Sequence, residues 1–202
     1  MKISDLMVPD PITVTEHTTI PEALDLMKIS SIRHLPVVGP EKELRGLVTL
    51  AGLKQGLIPS LVGDLNLSDL MIRSPITVSP EDDIEIAAQL IYKHKISGIP
   101  VVKEGRVVGI ITESDILRAF IDMMGILTAT SRVDVTLNEH ATGAFRRALQ
   151  IIGDHGGDVI NVGMSARQTG KRTYYFRLKS CKTSGIRKAL EKEGFQVEEA
   201  MD

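Results

Sequence analysis

The chain has 202 residues and a formal net charge of -2, from 24 Lys and Arg against 26 Asp and Glu with the two signs interspersed. That length suits a duplicated module with its own core plus one small extra domain, and the balanced charge gathers neither polyanions nor anionic lipid. No Trp, three Tyr and four Phe leave little for base stacking; the single Cys181 excludes an internal disulfide or a multi-thiolate site; and no run reaches the roughly 18 apolar residues of a membrane span. A soluble, cytoplasmic protein that binds no nucleic acid is therefore expected.

In chain order, a short strand is predicted over 11–15, an amphipathic helix over 20–30, strands over 35–38 and 44–49 flanking a turn at Gly39-Pro40, and then a helix. The same series returns as a strand at 76–79, a helix at 84–93, strands at 99–103 and 106–112 around Glu104-Gly105, and a helix at 114–124. The return is written into the residues. Ser4-Asp5-Leu6-Met7 and Pro11-Ile12-Thr13-Val14 recur verbatim as Ser68-Asp69-Leu70-Met71 and Pro75-Ile76-Thr77-Val78 at one constant offset, so the first two thirds of the chain is a duplicated unit. The offset shortens by one residue at Gly46-Leu47-Val48-Thr49 against Gly109-Ile110-Ile111-Thr112, which a shorter hairpin loop absorbs.

Beyond this, 132–137 alternates as a strand, and 142–155 carries Phe145, Ala148, Leu149 and Ile152 on one helical face. Strands follow at 158–165 and 172–179 about a turn at Gln168-Thr169-Gly170-Lys171, then a helix over 183–193 and a strand over 196–200. This β-α-β-β-α-β order is the ferredoxin-like plan.

The stretches Ile96-Ser97-Gly98-Ile99-Pro100-Val101-Val102 and Gly109-Ile110-Ile111-Thr112-Glu113-Ser114-Asp115 resemble a CBS-domain pair, or Bateman module, over about residues 1–125. The tail resembles an ACT domain, and the combination is similar to AcuB-type acetoin-utilisation proteins. The resemblance implies an α/β (α+β) fold: tandem CBS domains at 1–64 and 65–125 about a pseudo-twofold axis, and an ACT-like domain at 130–202. It also implies an adenine nucleotide (AMP, ADP or ATP) or S-adenosylmethionine held between the repeats.

Asp115 is the first candidate binding residue. At a helix start its carboxylate can accept from both hydroxyls of a ribose, with the Thr112 hydroxyl nearby, and in the family the aspartate of Thr-x-x-Asp holds the ribose. The same residues also read as a capping box that needs no ligand. In the first repeat Gly52 stands at the matching position, so that site is expected to be weak or empty. By resemblance, Thr77, Ser97, Gly98, Ile99 and Pro100 line the base and ribose, Gly98 letting backbone approach a purine edge; they equally serve a strand entry. Arg33 and His34, in the matching loop of the first repeat, suit phosphate oxygens, or are solvated surface residues. Lys93, His94 and Lys95 read as a solvated helix end. In the tail, Asn138, His140 and Gly143 occupy the loop where ACT domains bind amino acids, but His140 and Thr142 replace the acid and proline of the usual turn.

No catalytic set, phosphate loop or metal-ligand spacing emerges among the five histidines, and Cys181 reads as a surface thiol. The expectation is a non-enzymatic regulator that requires no cofactor, forms a homodimer or higher even oligomer, and acts on a further protein. The rival is an adaptor or regulatory subunit that has lost ligand binding.

Overall fold

The computed structural model describes residues 1–56, 66–126, 130–138, 143–165 and 171–202. The chain divides into two compact units, Met1–Leu117 and Arg118–Asp202, with the division inside helix α5 (Glu113–Met123).

In the first unit, α1 (Ile20–Ile29) begins at Thr19, whose hydroxyl accepts from the Glu22 N–H while the Glu22 carboxylate accepts from the Thr19 N–H. This reciprocal cap satisfies two donors that the first helical turn leaves open. Ile20, Ala23 and Met27 then fall on one buried face, against β2 (His34–Val38) and β3 (Leu44–Thr49). Helix α2 (Leu50–Gly56) closes the repeat. The second repeat copies it with α4 (Ile84–His94), β4 (Gly98–Lys103), β5 (Arg106–Thr112) and α5. Glu104 and Gly105 both take positive φ, 53° and 78°, as a two-residue hairpin turn requires; the first repeat's longer hairpin accounts for the one-residue change of offset.

The two repeats exchange their leading segments. A 3-10 turn (Ile3–Asp5) and β1 (Val8–Pro9) come first, and β1 pairs not with its own repeat but with β5 of the other, Val8 opposite Ile110. Reciprocally, α3 (Leu67–Leu70) leads to Ile72, which bridges Leu47 of β3. The verbatim Ser-Asp-Leu-Met repeats serve this exchange. Asp5 and Asp69 cap their turns by accepting from the Lys2 and Asn66 N–H groups, at 3.0 and 2.9 Å. Met7 and Met71 then lie over Gly109 and Gly46 of the opposite repeat, so closely that a Cβ on either glycine would collide with the methionine side chain. Residues 11–15 and 76–79 are not the strands the alternation predicts. Each makes one parallel bridge, Val14 to Val37 and Val78 to Val101, because Pro36 and Pro100, whose carbonyls accept from Val14 and Val78, lack the N–H that would extend the ladder.

The second unit is a four-stranded antiparallel sheet in the order β7-β8-β6-β9, formed by β6 (Thr130–Asn138), β7 (Val159–Met164), β8 (Lys171–Lys179) and β9 (Gln196–Met201). Helices α6 (Ala144–Asp154) and α7 (Ser184–Lys192) connect them in β-α-β-β-α-β order. Val133, Val135, Phe176 and Leu178 of the sheet form one core with Ala148, Ile152, Ile186 and Leu190 of the helices. Alternate residues Arg132, Asp134, Tyr175 and Arg177 therefore point to the opposite face. The fold is mixed α/β, with a duplicated module followed by a ferredoxin-like unit. Cys181 is half-buried against the second core rather than on the surface.

Candidate ligand-binding clefts

The segment exchange builds the main cleft from both repeats. About 410 Å³ in volume, it is lined by Asp10, Pro11 and Ile12 beyond β1, by Ser31–His34 leading into β2, and by Ile110, Thr112, Ser114 and Asp115 from β5 and α5. That volume lies within the usual range for small-molecule sites. Asp115 is both cap and candidate acceptor: its Oδ2 takes the Thr112 N–H at 2.8 Å and the Thr112 hydroxyl at 2.6 Å. Its Oδ1 has no partner among the described residues. One oxygen fixes the carboxylate while the other stays available, so the cap does not use the whole carboxylate.

The cations at this cleft are already matched. Arg33 donates to Glu113 at 3.2 Å, with the two side chains 57% and 50% exposed, and Lys42 pairs with Asp10. The Lys42 ammonium holds the exposed Asp10 carboxyl below the usual carboxylate range through its hydrogen bond and its charge. The rim thus carries carboxylates in step with its cations.

A second cleft of about 470 Å³ is lined by Thr49, Leu50, Ala51 and Lys54 of the first repeat and by Ile72, Lys95, Ile96 and Ser97 of the second, with Arg33 and His34 shared between both clefts. Its helix start holds Gly52, whose N–H donates to the Thr49 hydroxyl at 3.1 Å, and among the described residues no carboxylate lines it.

His34 sits where the clefts meet. Only 8% exposed, it shares a 2.9 Å hydrogen bond between Nε2 and the Ser97 hydroxyl. Burial holds its pKa below the ordinary value, the nearby Arg33 charge adds to that, and Glu113 opposes it. The ring covers Gly98, so a Cβ there would come within 3.1 Å of three ring atoms. The absent side chain of Gly98 makes room for this imidazole.

Of the residues singled out beforehand, Arg33, His34, Thr112 and Asp115 line the main cleft and Ser97 the second, whereas Thr77, Gly98, Ile99 and Pro100 line neither. Ile99 is fully buried in β4 and Thr77 is exposed. The sequence reading set Arg33 and His34 of the first repeat against Asp115 of the second; the exchange of leading segments adds Asp10, Pro11 and Ile12 to that cleft. Their signal was present as the run Val8-Pro9-Asp10-Pro11, whose prolines and acid interrupt any regular element. In the tail, Gly143 starts α6 with φ 83°, a backbone region that favours glycine. Asn138 ends β6, and His140 and the turn at 168–171 before β8 fall wholly or mostly outside the described residues. Among the described residues no group of three His, Cys, Asp or Glu could hold a metal ion, and no helix is long and apolar enough to cross a membrane.

The CBS domain model matches residues 3–57 and 67–122. The chain belongs to the CBS-domain family. Among solved structures, the CBS pair of protein MJ0100 in complex with 5-methylthioadenosine and S-adenosyl-L-methionine is similar over 59% of this chain and 95% of that one, at 31% identity and a TM-score of 0.56. A structure from Vibrio cholerae named for acetoin utilization (AcuB) is similar over 62% and 94%, at 32% identity and a TM-score of 0.56. The CBS pair also matches homoserine O-acetyltransferase of Methanohalobium evestigatum, 37% identical over 117 residues, 57% of this chain but 23% of that protein. The chain thus spans about a quarter of that relative's length, and the enzyme matches cover only the CBS part.

Proposed function

We propose that this CBS pair is a regulatory sensor of an adenosyl ligand, with the Asp115 cleft as its principal site. The observation that carries the reading is the Asp115 carboxylate, anchored by Thr112 through one oxygen and open at the other, in a cleft of about 410 Å³. Ribose hydroxyls would donate to that second oxygen. With Arg33 and Lys42 each matched by a carboxylate, the cleft favours an adenosyl ligand of little negative charge, S-adenosylmethionine or methylthioadenosine, over ATP. The complex of MJ0100 with those two molecules supports the choice, and a CBSX2 complex with AMP makes the monophosphate the nearest competitor. Titration calorimetry on the full chain tests it. One S-adenosylmethionine per chain, bound more tightly than ATP, is expected; absence of binding by every adenosyl compound would overturn the sensor reading, and ATP binding tightest would overturn the charge argument.

The division into 1–64, 65–125 and 130–202, the ACT-like character of the ferredoxin-like unit, its use in forming a homodimer or higher even oligomer, cytoplasmic location and a regulated protein partner complete the proposal. A link to acetoin metabolism rests on the AcuB likeness. The adaptor reading draws on Gly52, which puts no carboxylate at the helix start of the second cleft, and prevails if no adenosyl ligand stabilises the chain. Ligand at about 100 times its Kd should add about 2.7 kcal/mol.

A further inference from the structure

The helix-free face of the C-terminal sheet carries a hollow of about 300 Å³ lined by Arg132, Asn161, Gly163, Tyr175 and Arg177, with Met124 and Ile126 as an apolar wall. Two registered rows of side chains form its floor. Arg177 of β8 lies between Arg132 of β6 and Asn161 of β7; Tyr175 lies between Asp134 and Gly163. Like charges directly opposed across a ladder destabilise it unless something neutralises them. Arg132 is neutralised within the protein, donating Nε to Asp134 Oδ1 at 2.7 Å and Nη2 to Oδ2 at 2.6 Å, with Glu199 at 3.4 Å. Its guanidinium lies 5.5 Å from the Tyr175 ring centroid. Arg177 has no such relief. Its Nη1 donates to the Thr130 hydroxyl at 2.8 Å, and among the described residues it has no carboxylate partner. Asn161 donates Nδ2 to the Met123 carbonyl at 2.9 Å, which leaves its amide oxygen as an acceptor.

We propose that this hollow binds a small organic anion: a carboxylate that pairs with Arg177, on an apolar body about the size of one ring, packed between Tyr175, Met124 and Ile126. A guanidinium fork matches a carboxylate in two parallel hydrogen bonds, and the carboxylate supplies the charge that Arg177 lacks among the described residues. Gly163 keeps the hollow open: a Cβ there would meet Tyr175 and Met124 only at ordinary contact distances of 3.8 and 3.9 Å. A longer side chain can therefore fill the space without disturbing the strand.

The test is methyl NMR of the full chain labelled at methionine, with the Met124 signal assigned through Met124→Leu and benzoate as the probe. Benzoate is expected to shift the Met124 methyl saturably at or below about 10 mM. Benzyl alcohol, with the ring but no charge, and acetate, with the charge but no body, should each bind about tenfold more weakly or worse. Arg177→Gln should weaken benzoate by about tenfold or more, the effect of removing a charge-assisted pair, and Gly163→Leu should abolish the shift. An unmoved Met124 signal overturns the site. Equal binding of benzoate and benzyl alcohol, or unchanged binding by Arg177→Gln, overturns the role of the arginine; the comparison of probes needs no variant and decides the matter if Arg177→Gln misfolds.

Discussion

Replacing Asp115 separates its cap from its proposed ribose contact, because the Thr112 hydrogen bonds use one oxygen and leave the other open. Asp115→Ala removes the acceptor of both Thr112 hydrogen bonds, at 2.8 and 2.6 Å. Loss of a helix cap costs about 1 kcal/mol, or a fall in melting temperature of about 2–4 °C for a chain of this size. The variant also removes the open oxygen, and loss of hydrogen bonds to a charged group costs about 1.5–3 kcal/mol of binding, roughly 10- to 150-fold in Kd. Asp115→Asn keeps a carbonyl oxygen for Thr112 but offers the ribose an uncharged amide. Its melting temperature should stay within about 1 °C of the parent, while affinity for S-adenosylmethionine falls about tenfold. Calorimetry and thermal unfolding on the same preparations read both quantities. If Asp115→Asn binds as tightly as the parent, the open oxygen is unused; if Asp115→Ala melts early yet binds normally, Asp115 is a cap alone.

Gly52→Asp should install a carboxylate in the second cleft, since among the described residues a Cβ there meets Thr49 Oγ1 at 3.3 Å and the Leu70 carbonyl at 3.9 Å. Relief of a helical glycine and completion of the cap should stabilise the chain by roughly 0.5 kcal/mol, and calorimetric stoichiometry should rise from one adenosyl ligand to two; a stoichiometry that stays at one refutes it. Glu113→Gln, by releasing Arg33, should strengthen AMP binding by up to about fivefold, the worth of an exposed ion pair, and leave adenosine unchanged; equal effects on both would mean that Arg33 does not reach the phosphate. Finally, His34 is held neutral by burial, with its folded pKa below the 6.5 of the unfolded side chain. As pH falls below 6.5 the unfolded chain takes up that proton first, so stability falls. The carboxylates held low start from 3.8 for Asp10 and Asp202 and from 4.5 for Glu22 and Glu43 and act at lower pH. Urea midpoints at about pH 7.5 and 5.5 should therefore differ less for His34→Gln than for the parent; an unchanged difference would clear His34 of the effect.

The duplication made the fold legible because each repeat checks the other: the apolar face Ile20, Ala23 and Met27 returns as Ile84 and Ala87, and the hairpins follow from short apolar runs around turn residues. The ferredoxin-like tail was legible for the same physical reason, a period-2 strand such as Arg132 to Leu137 next to a helical stripe through Ala148 and Ile152. Asp115 was legible too, since a helix start with Thr three residues before an acid has few geometries. What could not be read was that Asp10, Pro11 and Ile12 join Arg33 and His34 in the wall facing Asp115. Periodicity describes one element against its own core, and the exchange of leading segments depends on Met7 and Met71 finding Gly109 and Gly46 across the pseudo-twofold, a contact between residues far apart in the chain. The same limit explains Gly98, whose missing side chain is answered by the His34 ring 64 positions earlier. A duplicated sequence thus announces that two equivalent halves exist, while their division of labour rests on single unequal pairs: Asp115 against Gly52 at the helix starts, and His34 against Gly98 where the clefts meet. Each pair places the polar side chain in one repeat and a glycine in the other, so the module is symmetric in backbone and asymmetric in chemistry, with a carboxylate at one helix start and a backbone N–H at the other.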